Sequence, residues 1–239
     1  MNPDIETVVL VRHARSVAND DPRVYLTTPD HAIPLSAPEG DREALTAGAR
    51  IATLGLDPAA VCSWCSTYLR CLQTESLVLR AAFGERADLV GRRESFLLRE
   101  QEFGDWDSLS DGEIAARDPE RWAKRRRMAD TLGRFYFRYP NGESRPDVVQ
   151  RIVLFIGKLQ RSRYRHHFVF LHGVTQRAFR MAWFNHPVQW FEAEANPPNA
   201  SVVLARRDAS GRWGERVLEH GETAAVTPPA GTPGRSPPG

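Results

Sequence analysis

The chain has 239 residues, 41% of them hydrophobic and 26% charged, which suits one α/β domain with a full core. A net charge of +2 supplies no basic field of the kind that selects nucleic acid or an anionic membrane surface. No apolar run approaches the ~20 residues of a membrane span, and the stretch 8–11 is too short for the apolar core of a signal peptide, so a cytoplasmic protein is expected.

The first element is a strand near residues 7–12, Val8-Val9-Leu10-Val11, which ends in Arg12-His13 and is followed by Ser16 and Asn19. A cation and an imidazole are thereby presented at the carboxyl edge of a sheet, where open α/β folds place their ligands. A phosphate group suits that edge. The loop from Ala18 to Asp41 is long, and long loops beside a site are commonly functional. A helix is expected near 46–55 and a second strand near 60–65.

Cys62 and Cys65 in that strand, with Cys71 after it, include a C-x-x-C spacing that suggests redox or metal chemistry. On a strand, however, residues three apart face opposite ways and lie ~10 Å apart, too far for a disulfide. A helix over 68–83 follows and carries Arg70 in its first turn, where backbone N–H groups and the helix dipole attract anions. The stretch 97–104, Leu-Leu-Arg-Glu-Gln-Glu-Phe-Gly, can deliver Glu100 to the same edge.

From about 105 to 141 the strand pattern stops, and a polar, tryptophan-containing stretch with a helix over 110–127 reads as a cap insertion. Its run Lys124-Arg125-Arg126-Arg127 reads as a solvated face, the alternative being that it steers phosphorylated substrates. A helix near 146–162 leads to a strand at 167–172 that ends in His172-Gly173, then to a helix near 175–185 and a strand near 200–206. Residues 221–239 are rich in Pro and Gly and are expected to be a disordered tail behind a domain of residues 1–220. The alternation predicts a three-layer α/β sandwich, a mostly parallel central sheet flanked by helices.

Singly, these residues have ordinary explanations. Arg70 and Glu100 could form a surface ion pair worth roughly 0–1 kcal/mol, and His172 could be a satisfied core histidine. Their order along the chain says more. Arg12-His13-Ala14-Arg15-Ser16 with Asn19, Ser66-Thr67-Tyr68-Leu69-Arg70 with Gln73-Thr74, Leu98-Arg99-Glu100 with Phe103-Gly104, Asn141-Gly142-Glu143-Ser144, and Leu171-His172-Gly173 together resemble the histidine phosphatase superfamily, branch 1, also called phosphoglycerate mutase-like. The resemblance covers roughly residues 5–206. Tyr25, Pro29-Asp30-His31, Ile33-Pro34-Leu35 and the segment 134–144 look most like the branch containing broad-range acid phosphatases. Arg134, Tyr136 and Arg138 lead directly into Glu143-Ser144, and the family resemblance carried by that motif makes them stronger candidates for contact than the basic run.

The resemblance implies a metal-independent enzyme with no cofactor, acting on a small-molecule phosphate ester. In it His13 attacks phosphorus as a neutral imidazole and forms a phosphohistidine that water hydrolyses. Arg12 and Arg70 hold the phosphoryl oxygens, a role that favours the planar, always charged guanidinium. His172 donates to the transferring group, and pairing with that anion favours its charged form. Ser16, Asn19 and the backbone at Gly173 add neutral donors, and Glu100 protonates the leaving alkoxide and then deprotonates water.

Four departures stand out. Ala14 replaces the usual glycine after the histidine. Arg15 adds a cation near the pocket mouth and is expected to contact substrate or a cap carboxylate. Gln101 and Phe103 stand where cofactor-dependent mutases carry an arginine and a tyrosine, with Glu102 between them, which favours hydrolysis over mutase chemistry. Of two imperfect Leu-Thr-x-x-Gly helix starts, Leu35-Ser36 with Gly40 and Leu45-Thr46 with Gly48, the second is chosen, with Thr46 near the N-cap. The expected function is hydrolysis of a small phosphorylated metabolite such as a sugar phosphate. A cofactor-dependent phosphomutase and a non-catalytic phosphate-binding protein remain as alternatives, and the sequence leaves a homo-oligomer open.

Overall fold

The structure, a computed structural model, describes residues 4–131 and 133–219. The expected tail at 221–239 lies outside the described residues. Six strands form one mixed sheet: β1 (Thr7–Arg12), β2 (Val61–Cys65), β3 (Gly91–Glu94), β4 (His166–Leu171), β5 (Val202–Arg207) and β6 (Trp213–Val217), in the order β3-β2-β4-β1-β5-β6. The pairs β3–β2, β2–β4 and β4–β1 are parallel, whereas β1–β5 and β5–β6 are antiparallel.

Strand alternation divides the core into two layers. Val8, Leu10, Cys62, Trp64, Val169 and Leu171 face one side, with Val148, Ile152, Phe155 and Phe179 of the helices that cover it. Val9, Val11, Val61, Cys65, Phe168 and Phe170 face the other, with Ala44, Ile51, Val78 and Leu79. Cys62 and Cys65 thus belong to opposite faces, as the strand reading requires, and all three cysteines are free and buried. No helix among the described residues is long and apolar enough to cross a membrane.

A short turn of helix, α1 (Val17–Asp20), and 3-10 turns at Pro22–Leu26 and Asp30–Ala32 occupy the long loop. Helix α2 runs Glu39–Ala52, so the start expected at Thr46 is corrected to the earlier of the two motifs. Gly40, Ala44, Ala47, Gly48 and Ile51 form its buried stripe at helical spacing. Gly40 decides the matter, since a Cβ there would stand 2.2 Å from the carbonyl oxygen of Arg15. Thr46 lies mid-helix with its hydroxyl donating to Arg42 O at 2.8 Å. Helix α3 (Leu69–Phe83) follows β2 as expected.

The segment expected as one helix over 110–127 is two, α4 (Asp111–Arg117) and α5 (Pro119–Thr131), because Pro119 cannot continue a helix from Asp118. Trp106, Ile114 and Phe137 form a small core of their own, with Trp106 stacked on Phe137 at 5.4 Å. Gly104 and Pro140 pin the two roots of this insertion together: a Cβ on Gly104, whose φ is +57°, would stand 2.0 Å from Pro140 O. Beyond it come α6 (Arg145–Gln160), α7 (Gly173–Phe184) and α8 (Val188–Ala193). Strands β3 and β6 and helix α8 were not expected from the sequence. β3 reads Gly-Arg-Arg-Glu and is exposed at the sheet edge, so it carries no apolar signal.

Candidate active site

Parallel pairing brings the two histidines together. β1 and β4 run in register with Arg12 opposite Leu171, and His13 N–H continues the ladder by donating to Leu171 O at 2.9 Å. The next residues, His13 and His172, therefore emerge at the same carboxyl edge, their ring centroids 5.2 Å apart and their planes inclined by 61°. β2 stands on the other side of β4 with Cys65 opposite Phe170, which places Ser66 at that edge too.

His13 Nδ1 lies 2.8 Å from its neighbour's carbonyl, Ala14 O. A carbonyl only accepts, so Nδ1 carries the proton and the lone pair of the neutral ring is on Nε2. Burial pushes the imidazole pKa well below its ordinary value, and the charges of Arg70 and Arg12 push it further. Ala14 is fully buried, its N–H donating to Thr74 Oγ1 at 3.0 Å. Its φ is negative, so this turn does not need glycine. The left-handed residue here is instead Ala200, φ +51°, whose N–H donates to His13 O at 3.2 Å and fixes the His13 backbone from behind.

His172 is fully buried, with Nε2 2.9 Å from Ser66 Oγ and no protein partner on Nδ1. Tyr68 N–H donates to Ser66 Oγ at 3.5 Å and Cys71 Sγ lies 3.5 Å from Nε2; with the hydroxyl donating to Nε2, the proton of the neutral ring sits on Nδ1. Burial, then Arg70, His13, Arg151 and Arg12, hold its pKa well below the usual value. Charge on His172 was expected from pairing with an anion; before a phosphate adds its charge, the ring is neutral.

Arg70 occupies the first turn of α3 and is almost wholly buried, its guanidinium 5.0 Å from the centroid of the Tyr68 ring, which in turn meets His172 edge-on at 5.0 Å. Arg12 donates through Nη1 to Pro197 O, and its Nε is buried without a partner. Glu100 reaches the start of α7: Thr175 Oγ1 donates to its Oε1 at 3.2 Å and Val174 N–H to its Oε2 at 3.3 Å.

The remaining candidates are placed differently. Asn19 Oδ1 accepts from Ser16 N–H, Ser16 Oγ and Asn199 Nδ2, so Ser16 braces the loop and the Asn19 amide nitrogen is the group left to offer an anion. Gly173 leaves room for the Asn196 amide, which a Cβ would meet at 2.4 Å. Arg15 pairs with Asp20 of its own loop, and its N–H donates to Glu43 Oε2 at 2.8 Å. It lines a surface hollow of about 380 Å³ with Arg42 and Arg50 of α2, and its carboxylate partners are Asp20 and Glu43 rather than a residue of the cap. Arg138 pairs with Asp147 at 2.6 Å and serves the start of α6. In the basic run, Arg125 lies over Trp122 and 3.6 Å from Asp111, a pairing within the insertion.

One set of functional residues was quoted in the motifs without a role. Glu143 accepts from Arg99 at 2.9 Å, from Arg151 Nε at 2.9 Å and from Glu102 N–H at 3.1 Å. Arg151 also donates to Leu97 O and Glu100 O, at 2.7 and 3.0 Å. This buried pair clamps the segment that carries Glu100. Sequence gave Arg151 no signal beyond an arginine on the buried stripe of an amphipathic helix.

A model of the histidine phosphatase superfamily, branch 1, matches residues 8–219. The chain belongs to that family. It is accordingly an enzyme of the histidine phosphatase class, and its sheet order and helical layers are those of the phosphoglycerate mutase-like fold. The chain is 33% identical over 247 aligned residues to the phosphoglycerate mutase-like protein AT74 of Arabidopsis thaliana, covering 95% of this chain and 74% of that protein. A shorter match, 34% over 121 residues, joins 47% of the chain to 33% of the broad-range acid phosphatase DET1 of Saccharomyces cerevisiae. Among solved structures it resembles mycobacterial glucosyl-3-phosphoglycerate phosphatase complexed with VO3, with a TM-score of 0.67 and 26% identity over 89% of this chain and 98% of that one.

Proposed function

We propose that this histidine phosphatase hydrolyses a small phosphorylated metabolite, such as a sugar phosphate, through a phosphohistidine on His13 and without a metal ion. The observation that carries the reading is the tautomer of His13, with Nδ1–H bonded to Ala14 O and Nε2 left as the nucleophile beside two guanidiniums.

Phosphoryl transfer is dominated by positioning and by stabilising charge spread over three equatorial oxygens. Arg70 and Arg12 supply that charge, and Arg12 Nε and His172 Nδ1 are buried donors that phosphoryl oxygens would satisfy. Asn19 adds its amide nitrogen. Nε2 of His13 attacks phosphorus as the P–O bond to the alcohol breaks, and Glu100 gives its proton to the departing oxygen. Glu100 then takes a proton from the water that attacks the phosphohistidine, returning the enzyme and releasing inorganic phosphate.

A mutase would hold a second charged group with residues at positions 101 and 103. Gln101 is buried with its amide donating to Glu143 O at 2.9 Å, and Phe103 packs edge-on against Tyr139 at 5.1 Å. Both are turned to the fold's own uses, which favours hydrolysis. A phosphate-release screen over metabolite phosphates with EDTA present, run from neutral to mildly acidic pH, tests the reading. Release is expected to survive the chelator and to need no diphosphorylated activator. Loss of activity in EDTA that a divalent metal restores would contradict it.

A further inference from the structure

The guanidinium placed on the phosphoryl group is shared with a carboxylate. Arg70 donates through Nη1 to both Oδ1 and the backbone oxygen of Asp30, each at 2.7 Å. The arginine side chain is 3% exposed and the aspartate 29%, so the carboxylate lies on the outer side of the pair. Because both bonds use one nitrogen, the Nη2 and Nε edge of the guanidinium is left for a phosphoryl fork. Asp30 does not compete with phosphate for the whole group; it borders where the ester's alcohol must lie.

Three other groups from separate segments lie within reach of the charge of Asp30, and one of them, the Tyr68 ring, carries the Arg70 guanidinium at 5.0 Å. Tyr25 comes from the 3-10 turn Pro22–Leu26, Tyr68 from the start of α3, and Asp107 from the root of the insertion, exposed at the rim. Burial and then the charge of Asp30 push both phenols up to about 12, with Asp107 and Glu100 also felt at Tyr25 and Glu102 at Tyr68. The carboxyl of Asp107 is raised by the desolvation of this recess and next by Asp30. The nearby cations of the acid loop are committed, Arg99 to Glu102 and Glu143 and Arg151 to Glu143.

We propose that Asp30, with Asp107, Tyr25 and Tyr68, forms an acidic rim that selects the leaving group, accepting esters whose alcohol portion donates hydrogen bonds or carries an amine and turning away those with a carboxylate or second phosphate. The selection rests on the phosphomonoesterase reading and adds the class of alcohol to it. Carboxylates accept hydrogen bonds from the hydroxyls of a polyol, and a site built for such donors rejects an analogue that lacks them. A leaving group with its own carboxylate meets two like charges and no uncommitted acid-loop arginine.

The test uses glycerol 3-phosphate and 3-phosphoglycerate, which differ in a hydroxymethyl group against a carboxylate, each measured by competition against hydrolysis of p-nitrophenyl phosphate. The wild type is expected to favour glycerol 3-phosphate by about tenfold or more. Asp30→Asn, which keeps size and removes charge, is expected to narrow that ratio by about tenfold, and the rim variant Asp107→Asn by a smaller factor in the same direction. A purely structural Asp30 would weaken both compounds equally and leave the ratio unmoved, which would overturn the proposal, as would a wild type that prefers 3-phosphoglycerate. Failure to hydrolyse p-nitrophenyl phosphate or any other ester would instead remove the phosphomonoesterase reading, and the selection with it.

Discussion

Ser66 Oγ stands 2.9 Å from His172 Nε2, at the ends of adjacent parallel strands, and leaves Nδ1 as the one ring nitrogen of His172 without a protein partner. When the serine donates to Nε2, the proton of the neutral imidazole sits on Nδ1, the nitrogen that the proposed mechanism turns to a phosphoryl oxygen. Without it, Nε2 keeps only the weaker contact with Cys71 Sγ at 3.5 Å.

Ser66→Ala is therefore expected to cost about 1–3 kcal/mol in stability, the usual penalty for stranding a buried partner. It should also lower kcat roughly tenfold with KM changed less. Urea unfolding and steady-state kinetics on the same preparation check both numbers. An unchanged kcat would mean that the tautomer of His172 does not matter to the reaction.

The clamp between Glu143 and Arg151 predicts a coupled loss. Their side chains are 11% and 8% exposed, and removing one partner of a buried pair typically costs about 3–5 kcal/mol. Arg151→Leu should lower the melting temperature by about 6–20 °C, taking roughly 2–4 °C per kcal/mol for a chain of this size, and should reduce kcat by freeing the segment that carries Glu100. Calorimetry together with kinetics reads both. A stable variant of normal turnover would remove Arg151 from the positioning of Glu100.

Four buried histidines set the acid side of the stability profile, among them His166, whose pKa burial lowers. His13 and His172 are held well below their ordinary pKa, and burial lowers His167, which accepts from Trp64 Nε1 at 3.1 Å, to about 4. Each stays neutral in the folded protein and charges on unfolding, so the unfolded chain binds more protons below about 6.5. Stability should be complete above that value and fall as pH drops toward 4, by up to about 1.4 kcal/mol per pH unit for each histidine. Urea unfolding at pH 7, 6 and 5 measures the slope; a flat profile between 6.5 and 5 would contradict these pKa directions. Because His13 stays neutral over that range, turnover should persist into mildly acidic solution while stability declines.

Much of this was legible in the sequence because it lives in short, local patterns. The strands that end in His13 and His172 and the helix that opens at Arg70 follow from apolar runs and their terminators. Partners supplied from afar were not legible: Ala200 behind His13 and Asp30 on Arg70 depend on how loops return to the edge, and even the adjacent Ala14 O becomes the partner of His13 only through the turn's conformation. The start of α2 was misplaced because two similar motifs lay ten residues apart, and only the packing of Gly40 under Arg15 O separates them. The pairing of Arg15 with Asp20, five residues on, was likewise not legible, because it depends on how their shared loop folds.

The most direct measurement is to quench the enzyme during turnover and locate the phosphoryl group by mass spectrometry under alkaline conditions, where phosphohistidine survives. It is expected on His13, absent from His172, and abolished in His13→Ala together with a loss of about 10⁴-fold or more in kcat. A phosphoryl group on another residue, or a His13→Ala enzyme that still turns over normally, would contradict the account.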